Sequence, residues 1–296
     1  MRIEEQVPLS RFTTLGTGGP SRWFAKPEST EELAETLRWT AERGVAVSVV
    51  GLGSNLLVAD EGVDGLVLKL AGELAAADTE GDRLIAGGGA PLAVCLHRAR
   101  AASLGGMEFA CAIPGTAGGG VWMNAGAYGG DIAGVLERAL VVSAEGESWR
   151  TPVELGLEYR RSALKPGEVV ARAEFKLAPR PAEEIKATVS ELQTRRKAAQ
   201  PTNKRTFGSV FKNPEHELSA GRMLEACGLR GHRIGGAQIS PRHANFIENA
   251  DGARSVDAIA LMTEARRRAL EEFGVALEHE VQFMGEVGLL PVGSPP

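Results

Sequence analysis

The clearest pattern of apolar and polar positions lies near the start of the chain, over residues 22–50. Residues 22–25 predict a short strand, and Ser29 opens the segment S-T-E-E-L, a capping-box pattern that predicts the start of a helix. Apolar residues then recur at helical spacing until Gly44, after which the β-branched run 45–50 predicts a buried strand. We therefore expect a β-α-β unit here.

Beyond this unit the apolar segments are short and separated by glycine, which predicts strands joined by tight turns. Further strands are expected at residues 65–70, 83–89, 139–143, 168–177, 236–239, 244–248 and 275–284. Helices are expected at about 91–105, from 185 to the R-R-K before Pro201, at 219–227 and, with Ser255 as the cap, at 255–273. The segment A-P-R-P at 178–181 indicates a boundary between structural units.

Composition narrows the class of protein. The 296 residues are 43% hydrophobic and 24% charged, which is typical of a folded globular chain and argues against a disordered or collagen-like one. The net charge of −5 and the absence of a basic run argue against a nucleic-acid partner. The three cysteines are far apart and lack C-x-x-C spacing, so neither a disulfide framework nor a metal site is expected. No apolar run is long enough to predict a membrane span or an export signal, and we expect a cytoplasmic protein.

A first glycine-rich segment, G-L-G-S-N-L-L at 51–57, directly follows a predicted strand. Glycine lets successive backbone N–H groups converge on an anion such as a phosphate, and Ser54 and Asn55 can add side-chain hydrogen bonds. A dinucleotide fingerprint would need glycine in place of Leu56, followed by a helix, so a Rossmann site is disfavoured. Taken alone, the segment is also compatible with a purely structural turn.

A second such segment runs from Ile113 to Gly129 and contains eight glycines or alanines between 115 and 127. Small residues at this density let a flat ligand lie against the backbone, and Thr116 and Asn124 can donate hydrogen bonds to it. A close-packed chain crossing is the alternative. Neither segment ends in a Lys-Ser or Lys-Thr pair, so a P-loop of the Walker A type is excluded.

Six motifs follow one another along the chain: G-L-G-S-N-L-L at 51–57, I-P-G-T-A-G-G-G at 113–120, M-N-A-G-A-Y-G at 123–129, Y-R-R-S at 159–162, G-S-V-F-K-N-P at 208–214 and E-V-Q-F-M-G at 280–285. In this order they resemble the family of UDP-N-acetylenolpyruvoylglucosamine reductases, FAD enzymes of peptidoglycan precursor synthesis. The resemblance covers nearly the whole chain. The short distance between Tyr128 and the Y-R-R-S motif implies the shorter, second type of this enzyme.

The resemblance implies an α+β fold, with a two-subdomain FAD-binding fold of the vanillyl-alcohol oxidase type and a smaller α+β substrate-binding domain. It implies a first FAD-binding subdomain over residues 1–70, joined by a C-terminal strand at 279–296, and a second over 71–180. The linking helix and the substrate-binding domain are then expected over 181–278. A sugar-nucleotide substrate and a role in cell wall biogenesis, cell shape and cell division follow from the same resemblance. The oligomeric state stays open, with a monomer slightly favoured.

The implied reaction passes hydride from NADPH to noncovalent FAD and then to the enolpyruvyl group of UDP-N-acetylglucosamine enolpyruvate, which yields UDP-N-acetylmuramate. Arg160 is implied to stabilise the developing negative charge, because a guanidinium stays charged and donates paired hydrogen bonds. Ser209 is implied to donate the proton to carbon, and Glu280 to polarise the substrate carboxylate. A carboxylate near that group should have a raised pKa, since two like charges resist sharing a site.

The resemblance also implies contacts to cofactor and substrate. The implied FAD contacts are Gly51, Leu52, Gly53, Ser54, Asn55, Leu56, Ile113, Pro114, Thr116, Gly119, Gly120, Asn124 and Gly126. The implied substrate contacts are Tyr159, Lys212 and Asn213. Whether Gln238, His243 or Asn245 contacts a ligand stays open.

Two departures from the family pattern leave alternatives. His279 stands where relatives often have proline, and Cys111 stands where the family usually has a small residue. A cysteine beside this glycine segment carries covalent flavin in some distant oxidases, so an oxidase of the same fold with covalently bound FAD is one alternative. A non-catalytic flavin- or nucleotide-binding module is another, although such a protein would not need Arg160, Ser209 and Glu280 together.

Overall fold

The structure is a computed structural model that describes residues 2–289. Its helices are α1 Thr30–Glu42, α2 Leu92–Ala101, α3 Ala117–Trp122, α4 Ala182–Ala199, α5 Ala220–Ala226 and α6 Ser255–Phe273. Its strands are β1 Ile3–Pro8, β2 Pro20–Ala25, β3 Val47–Val49, β4 Leu56–Val58, β5 Val63–Leu68, β6 Ala77–Glu80, β7 Arg83–Gly87, β8 Leu104–Gly105, β9 Gly126–Ala127, β10 Gly130–Asp131, β11 Leu136–Ser143, β12 Gly146–Arg150, β13 Val169–Lys176, β14 Ala178–Pro179, β15 Thr206–Ser209, β16 Arg233–Ile234, β17 Ala237–Ile239, β18 Phe246–Asn249 and β19 Gln282–Met284. No helix within these residues is long and apolar enough to cross a membrane.

Helix α1 begins as the sequence predicts. The Ser29 side chain accepts a hydrogen bond from the Glu32 backbone N–H at 3.2 Å, and this bond satisfies one of the donors that the first helical turn leaves without a partner. Leu33 and Leu37 are buried on one face. The helix ends before Gly44, whose φ of 62° is the left-handed conformation that glycine adopts without strain. The predicted cap and stop are confirmed.

Three sheets have four or five strands. Their orders are β1-β2-β5-β3, β12-β11-β13-β7-β6 and β15-β18-β17-β16, and the second is antiparallel in each of its pairs. The predicted β-α-β unit places β2 and β3 in one sheet, with β5 between them. Strand β3 is shorter than predicted and its Val49 is 39% exposed, because β3 is an edge strand that pairs only with β5.

Contacts divide the chain into two compact units, each with its own core. Within the described residues, unit 1 comprises residues 2–6, 23–52 and 65–196, and unit 2 comprises residues 7–22, 53–64 and 197–289. Unit 1 has two apolar clusters, one that contains Phe175 and one that contains Leu68. In unit 2, one apolar cluster contains Phe207, Phe211 and Leu261. The expected three-domain division stays a prediction, and the part of its C-terminal strand beyond residue 289 lies outside the described residues.

Two predicted elements of unit 2 differ from the structure. Helix α6 begins at Ser255 as expected, but Ser255 is not its cap: the carboxylate of Asp60 accepts hydrogen bonds from the N–H groups of Ser255 (2.8 Å) and Val256 (3.2 Å). The strand predicted over 275–284 is regular only over β19, which pairs in parallel with β4. Both differences arise from partners about 200 residues away in the chain, which a local pattern does not report.

Candidate active site

The second glycine segment and the Y-R-R-S loop are tied together within unit 1. We call residues 113–129 and 158–162 the Arg160 region. The guanidinium of Arg160 donates to the carbonyl of Gly126 at 2.6 Å and to that of Asn124 at 3.4 Å. Ser162 donates to the Trp122 carbonyl at 2.7 Å. These bonds join residues 34 to 40 positions apart and fix the guanidinium against the glycine segment.

Backbone strain accumulates in the same region. Three of its non-glycine residues have positive φ: Asn124 at 38°, Tyr128 at 52° and Arg160 at 55°. Left-handed backbone costs about 1–3 kcal/mol at a non-glycine residue and concentrates at functional sites. Tyr128 and Gly129, both with positive φ, form the two-residue turn between β9 and β10. The strain is consistent with a segment shaped for a ligand.

Two predicted contact residues of this region have partners within the protein. The Asn124 amide donates to the Glu158 carbonyl at 3.0 Å, and its Oδ1 accepts from the Ala133 N–H at 2.9 Å, so the side chain braces the loop that carries Arg160. Tyr159 is 54% exposed, with its ring 5.0 Å from the Arg160 guanidinium carbon. Arg161, next in the chain, forms an exposed ion pair with Glu158.

The first glycine segment reaches the second one inside unit 1. A Cβ on Gly51 would lie 2.7 Å from the Thr116 Oγ1, so a larger residue would force the Thr116 side chain to move. Thr116 is buried and caps the short helix α3 by accepting from the Gly119 N–H at 3.3 Å. Close packing continues at Gly118, whose N–H donates to the Gly88 carbonyl at 2.7 Å. Gly51 and the second segment therefore form one small-residue surface within unit 1, with backbone close to its face, which fits a cofactor such as FAD.

Lys69, which was not singled out by the sequence, lies under this surface. Its Nζ donates to the Gly51 carbonyl at 2.7 Å. Burial, and secondarily the nearby Lys26, lower the pKa of Lys69. The only signal in the sequence is a lysine directly after the apolar strand β5, which also fits an ordinary strand end.

The remainder of the first segment, residues 53–57, belongs to unit 2. Gly53 has a φ of 66°, and a Cβ there would lie 1.8 Å from the Phe12 carbonyl oxygen. The Asn55 side chain donates to the Glu280 carbonyl at 3.2 Å, and the Asn55 carbonyl accepts from the Gln282 N–H at 2.9 Å. Leu56 continues into β4, opposite Gln282. Within unit 2 the segment is thus bonded to the chain around Glu280.

Ser209 and Glu280 are neighbours in unit 2. We call residues 206–213, 243–246 and 278–282 the Ser209 region. The Glu280 N–H donates to the Val210 carbonyl at 2.8 Å, directly after Ser209 in the chain. Ser209 is half-buried, and its hydroxyl makes no hydrogen bond within residues 2–289. Gly208 has a φ of 84°, and a Cβ there would lie 3.2 Å from the Ser54 carbonyl oxygen.

Other predicted ligand residues of unit 2 bond to the protein. The Lys212 ammonium forms an ion pair with Glu278 at 2.6 Å. Asn213 Oδ1 accepts from the Ala220 N–H at the start of α5 at 3.2 Å, and Gln238 donates to the Gly231 carbonyl at 3.0 Å. His243 is packed against Gly221, and burial lowers its pKa.

Cys111 and His279, the two departures from the family pattern, have defined surroundings. Burial raises the pKa of the Cys111 thiol, the opposite of what a nucleophilic thiolate needs. The His279 ring stacks on Phe283 with centroids 4.5 Å apart, and its Nδ1 lies 2.8 Å from the Val281 carbonyl oxygen. Among residues 2–289, no cluster of His, Cys, Asp or Glu is arranged to hold a metal ion.

Comparison with known families decides between the alternatives. Residues 200–284 match the C-terminal domain of UDP-N-acetylenolpyruvoylglucosamine reductase, and residues 21–152 match an FAD binding domain. A UDP-N-acetylenolpyruvoylglucosamine reductase of Anaeromyxobacter dehalogenans is 45% identical over 95% of this chain and 85% of its own length. The chain belongs to the UDP-N-acetylenolpyruvoylglucosamine reductase family.

Two further relatives extend the match over the whole fold. A reductase of the same name from Symbiobacterium thermophilum is 43% identical over 96% of this chain and 92% of its own length. The crystal structure of the reductase from Thermus caldophilus superposes with a TM-score of 0.83 at 40% identity, covering 96% of this chain and 99% of that one. The expected α+β fold with an FAD-binding domain is confirmed, as is the assignment to an FAD-dependent oxidoreductase family.

Proposed function

We propose that this chain reduces the enolpyruvyl group of UDP-N-acetylglucosamine enolpyruvate to UDP-N-acetylmuramate, with FAD as cofactor and NADPH as hydride donor. The observation that carries the proposal is the Arg160 guanidinium, which two carbonyls of the second glycine segment hold in place. Bound FAD supplies the hydride chemistry, and the small-residue surface formed by Gly51, Thr116 and Gly118 supports its binding.

Arg160 stabilises charge in this proposal. Hydride addition to the enolpyruvyl CH2 leaves negative charge on the adjacent carbon and its carboxylate. A guanidinium remains protonated and donates parallel hydrogen bonds to a carboxylate. Because the carbonyls of Asn124 and Gly126 already fix its position, little reorganisation is needed during the reaction.

Ser209 supplies the proton that completes the reaction at carbon. A hydroxyl is a weak acid, but the carbanionic intermediate is a strong base, so a donor held within hydrogen-bond reach suffices. The Ser209 hydroxyl makes no hydrogen bond to the described residues that would compete with substrate. Glu280, bonded through its backbone to Val210, polarises the substrate carboxylate. Tyr159, Lys212 and Asn213 bind the sugar nucleotide.

The setting of this reaction is proposed as well. The product feeds peptidoglycan precursor synthesis, so we place the enzyme in the cytoplasm, in cell wall biogenesis and through it in cell shape and division. The sequence-based preference for a monomer stays a prediction.

An absorption spectrum of the purified protein, taken before and after acid precipitation, tests the cofactor. We expect a flavin band that is released into the supernatant. Flavin retained in the pellet would instead support covalent attachment. A colourless protein that cannot be reconstituted with FAD would contradict the proposal.

Turnover tests the substrate. We expect the enolpyruvyl sugar nucleotide to accelerate NADPH oxidation and to gain two hydrogen atoms, measured by mass spectrometry of the product. Flavoprotein that oxidises NADPH at the same rate with and without this substrate would contradict the proposed reaction while leaving the cofactor assignment intact.

A further inference from the structure

The Ser209 region contains a buried amide whose role the sequence leaves open. Asn245 is only 4% exposed. Its Oδ1 accepts from the Phe211 N–H at 2.9 Å, and its Nδ2 donates to the Phe211 carbonyl at 2.8 Å. This pair of bonds reproduces the donor and acceptor that a neighbouring strand would offer.

The Asn245 side chain lies at the end of the regular pairing between β15 and β18. Strands β15 and β18 pair as far as Ser209 opposite Phe246, after a register shift within β15. The Val210 N–H then donates to the Asn245 carbonyl at 2.9 Å. The Asn245 side chain thus continues the ladder by one more residue. The backbone N–H of Asn245 donates to His243 Nδ1 at 3.2 Å, and this bond further orients Asn245.

The other side of the same segment bonds to the chain that carries Glu280. The Val210 carbonyl accepts from the Glu280 N–H at 2.8 Å, and the Lys212 N–H donates to the Glu278 carbonyl at 2.9 Å. Residues 210–212 are therefore the middle of three extended segments. The position of Ser209 relative to Glu280 depends on how firmly this middle segment is held.

We propose that Asn245 is a positioning residue for Ser209 and Glu280 in the reaction described above, an inference that rests on the proposed function. Its amide holds Phe211, and through Phe211 and Val210 it sets the register between the proton donor and the carboxyl group. Asn245 itself contacts neither substrate nor cofactor in this role. A displacement of about 1 Å at a reacting group lowers turnover by about 100-fold, so loss of the clamp should affect chemistry before binding.

Asn249, the last residue of β18, provides a matched control four positions further along the chain. Its Nδ2 donates to the Leu15 carbonyl at 2.9 Å and its Oδ1 accepts from the Ala253 N–H at 2.9 Å, so it also clamps backbone through both amide atoms. None of these partners belongs to the Ser209 region. Asn249→Asp therefore imposes a similar chemical change without touching the residues that carry the proposal.

The experiment compares Asn245→Asp with Asn249→Asp as holoenzymes. Aspartate at 245 still accepts from Phe211 N–H but cannot donate to the Phe211 carbonyl. We expect kcat with the enolpyruvyl sugar nucleotide to fall about 10- to 100-fold, while KM and the rate of flavin reduction by NADPH change less than about threefold. The kcat of the Asn249→Asp enzyme should stay within about threefold of the wild-type value, even if its Tm falls as much as that of Asn245→Asp.

A double variant and a milder variant complete the test. Adding Asn245→Asp to Ser209→Ala should slow turnover by less than the product of the two single losses, because the part of the clamp that acts through Ser209 is already removed. If Asn245→Asp does not fold, Asn245→Ser, which keeps one hydrogen bond, takes its place. The inference is overturned if Asn245→Asp slows flavin reduction by NADPH as much as it slows reduction of the substrate. It is also overturned if Asn245→Asp and Asn249→Asp lose kcat equally, or if the fold-loss of kcat in the double variant equals the product of the two single losses. A wild-type enzyme without turnover would overturn the proposed function first, and this inference with it.

Discussion

The Arg160 and Ser209 regions hold their functional groups in opposite ways. In the Arg160 region the side chain itself is fixed, by two backbone carbonyls and by left-handed backbone at Arg160. In the Ser209 region the backbone is fixed, because the Val210 N–H donates to the Asn245 carbonyl and the Val210 carbonyl accepts from the Glu280 N–H. The Ser209 hydroxyl makes no hydrogen bond to the described residues.

The difference matches the roles proposed for Arg160 and Ser209. A group that stabilises developing charge works best when its dipoles or charges are already in position. A group that gives up a proton must approach the reacting atom and needs its hydroxyl available for that bond. Strain in the backbone is therefore expected where a charge is held, and open hydrogen-bonding capacity where a proton is delivered.

The largest expected effect tests the Ser209 region. Ser209→Ala should lower kcat by about 10²- to 10⁴-fold, the usual contribution of a general acid, with almost no change in Tm because the hydroxyl bonds to no described residue. Ser240→Ala is the reverse control: its buried Oγ accepts from the Arg242 N–H at 3.2 Å, so its loss should cost about 1 kcal/mol of stability and leave kcat intact. Steady-state kinetics and thermal unfolding measure both. Equal kinetic losses in the two variants would remove Ser209 from the mechanism.

The next effect tests the Arg160 region. Arg160→Met should lower kcat/KM by about 10²- to 10³-fold, as when a preorganised donor is removed from an oxyanion site. Arg161→Met is the neighbouring control. Within residues 2–289 the Arg161 side chain pairs only with the exposed Glu158, so kcat/KM should change little. Arg160→Lys should recover little, because an ammonium does not bond to two carbonyls in a fixed plane. Full activity in Arg160→Lys would show that charge alone, without fixed geometry, is enough.

A smaller effect tests the contact between the glycine segments of unit 1. Gly51→Ala places a Cβ 2.7 Å from Thr116 Oγ1, and such overpacking costs about 1–3 kcal/mol. If this overpacking weakens FAD binding by a similar free energy, the Kd for FAD should rise about tenfold. Gly134→Ala is the control, because its Cβ would make an ordinary contact of 3.5 Å. Titration of apoprotein with FAD, followed by flavin fluorescence, measures both constants. An unchanged Kd for Gly51→Ala would argue that this surface does not hold the cofactor.

The smallest expected effect concerns helix α6, which packs against the Ser209 region. Helix α6 shares an apolar cluster with Val210 and Phe211, and hydrogen bonds from Arg267 on the same helix lower the pKa of Glu264 from 4.5 to about 2. Because the folded-state pKa is lowered, this carboxylate stabilises the fold above about pH 4.5, and the contribution is lost as the pH falls towards about 2.

Glu264→Gln should therefore cost at most about 1 kcal/mol near neutral pH, and the difference from wild type should vanish near pH 2. Denaturant unfolding across this pH range measures it, with the exposed Glu272→Gln on the same helix as control. A difference that persists unchanged at pH 2 would mean that packing, and not charge, explains the effect.

Some of this architecture can be predicted from short stretches of sequence. The capped start of α1 at Ser29, its stop at Gly44 and the linking helix α4 follow from local spacing, because a helix and its caps are built from residues within a few positions of one another. The glycine motifs and the Y-R-R-S and G-S-V-F-K-N-P motifs identified the family for the same reason: each is a continuous run of residues.

Other features depend on the tertiary structure alone. The bonds from Arg160 to the glycine segment, the clamp of Asn245 on Phe211 and the carboxylate of Asp60 at the start of α6 join residues 34 to 196 positions apart. The order of the amino acids sets which residue types are present and which local elements carry them. Which backbone groups those side chains bond to was decided by the fold, because hydrogen bonds act over about 3 Å in space and not along the chain.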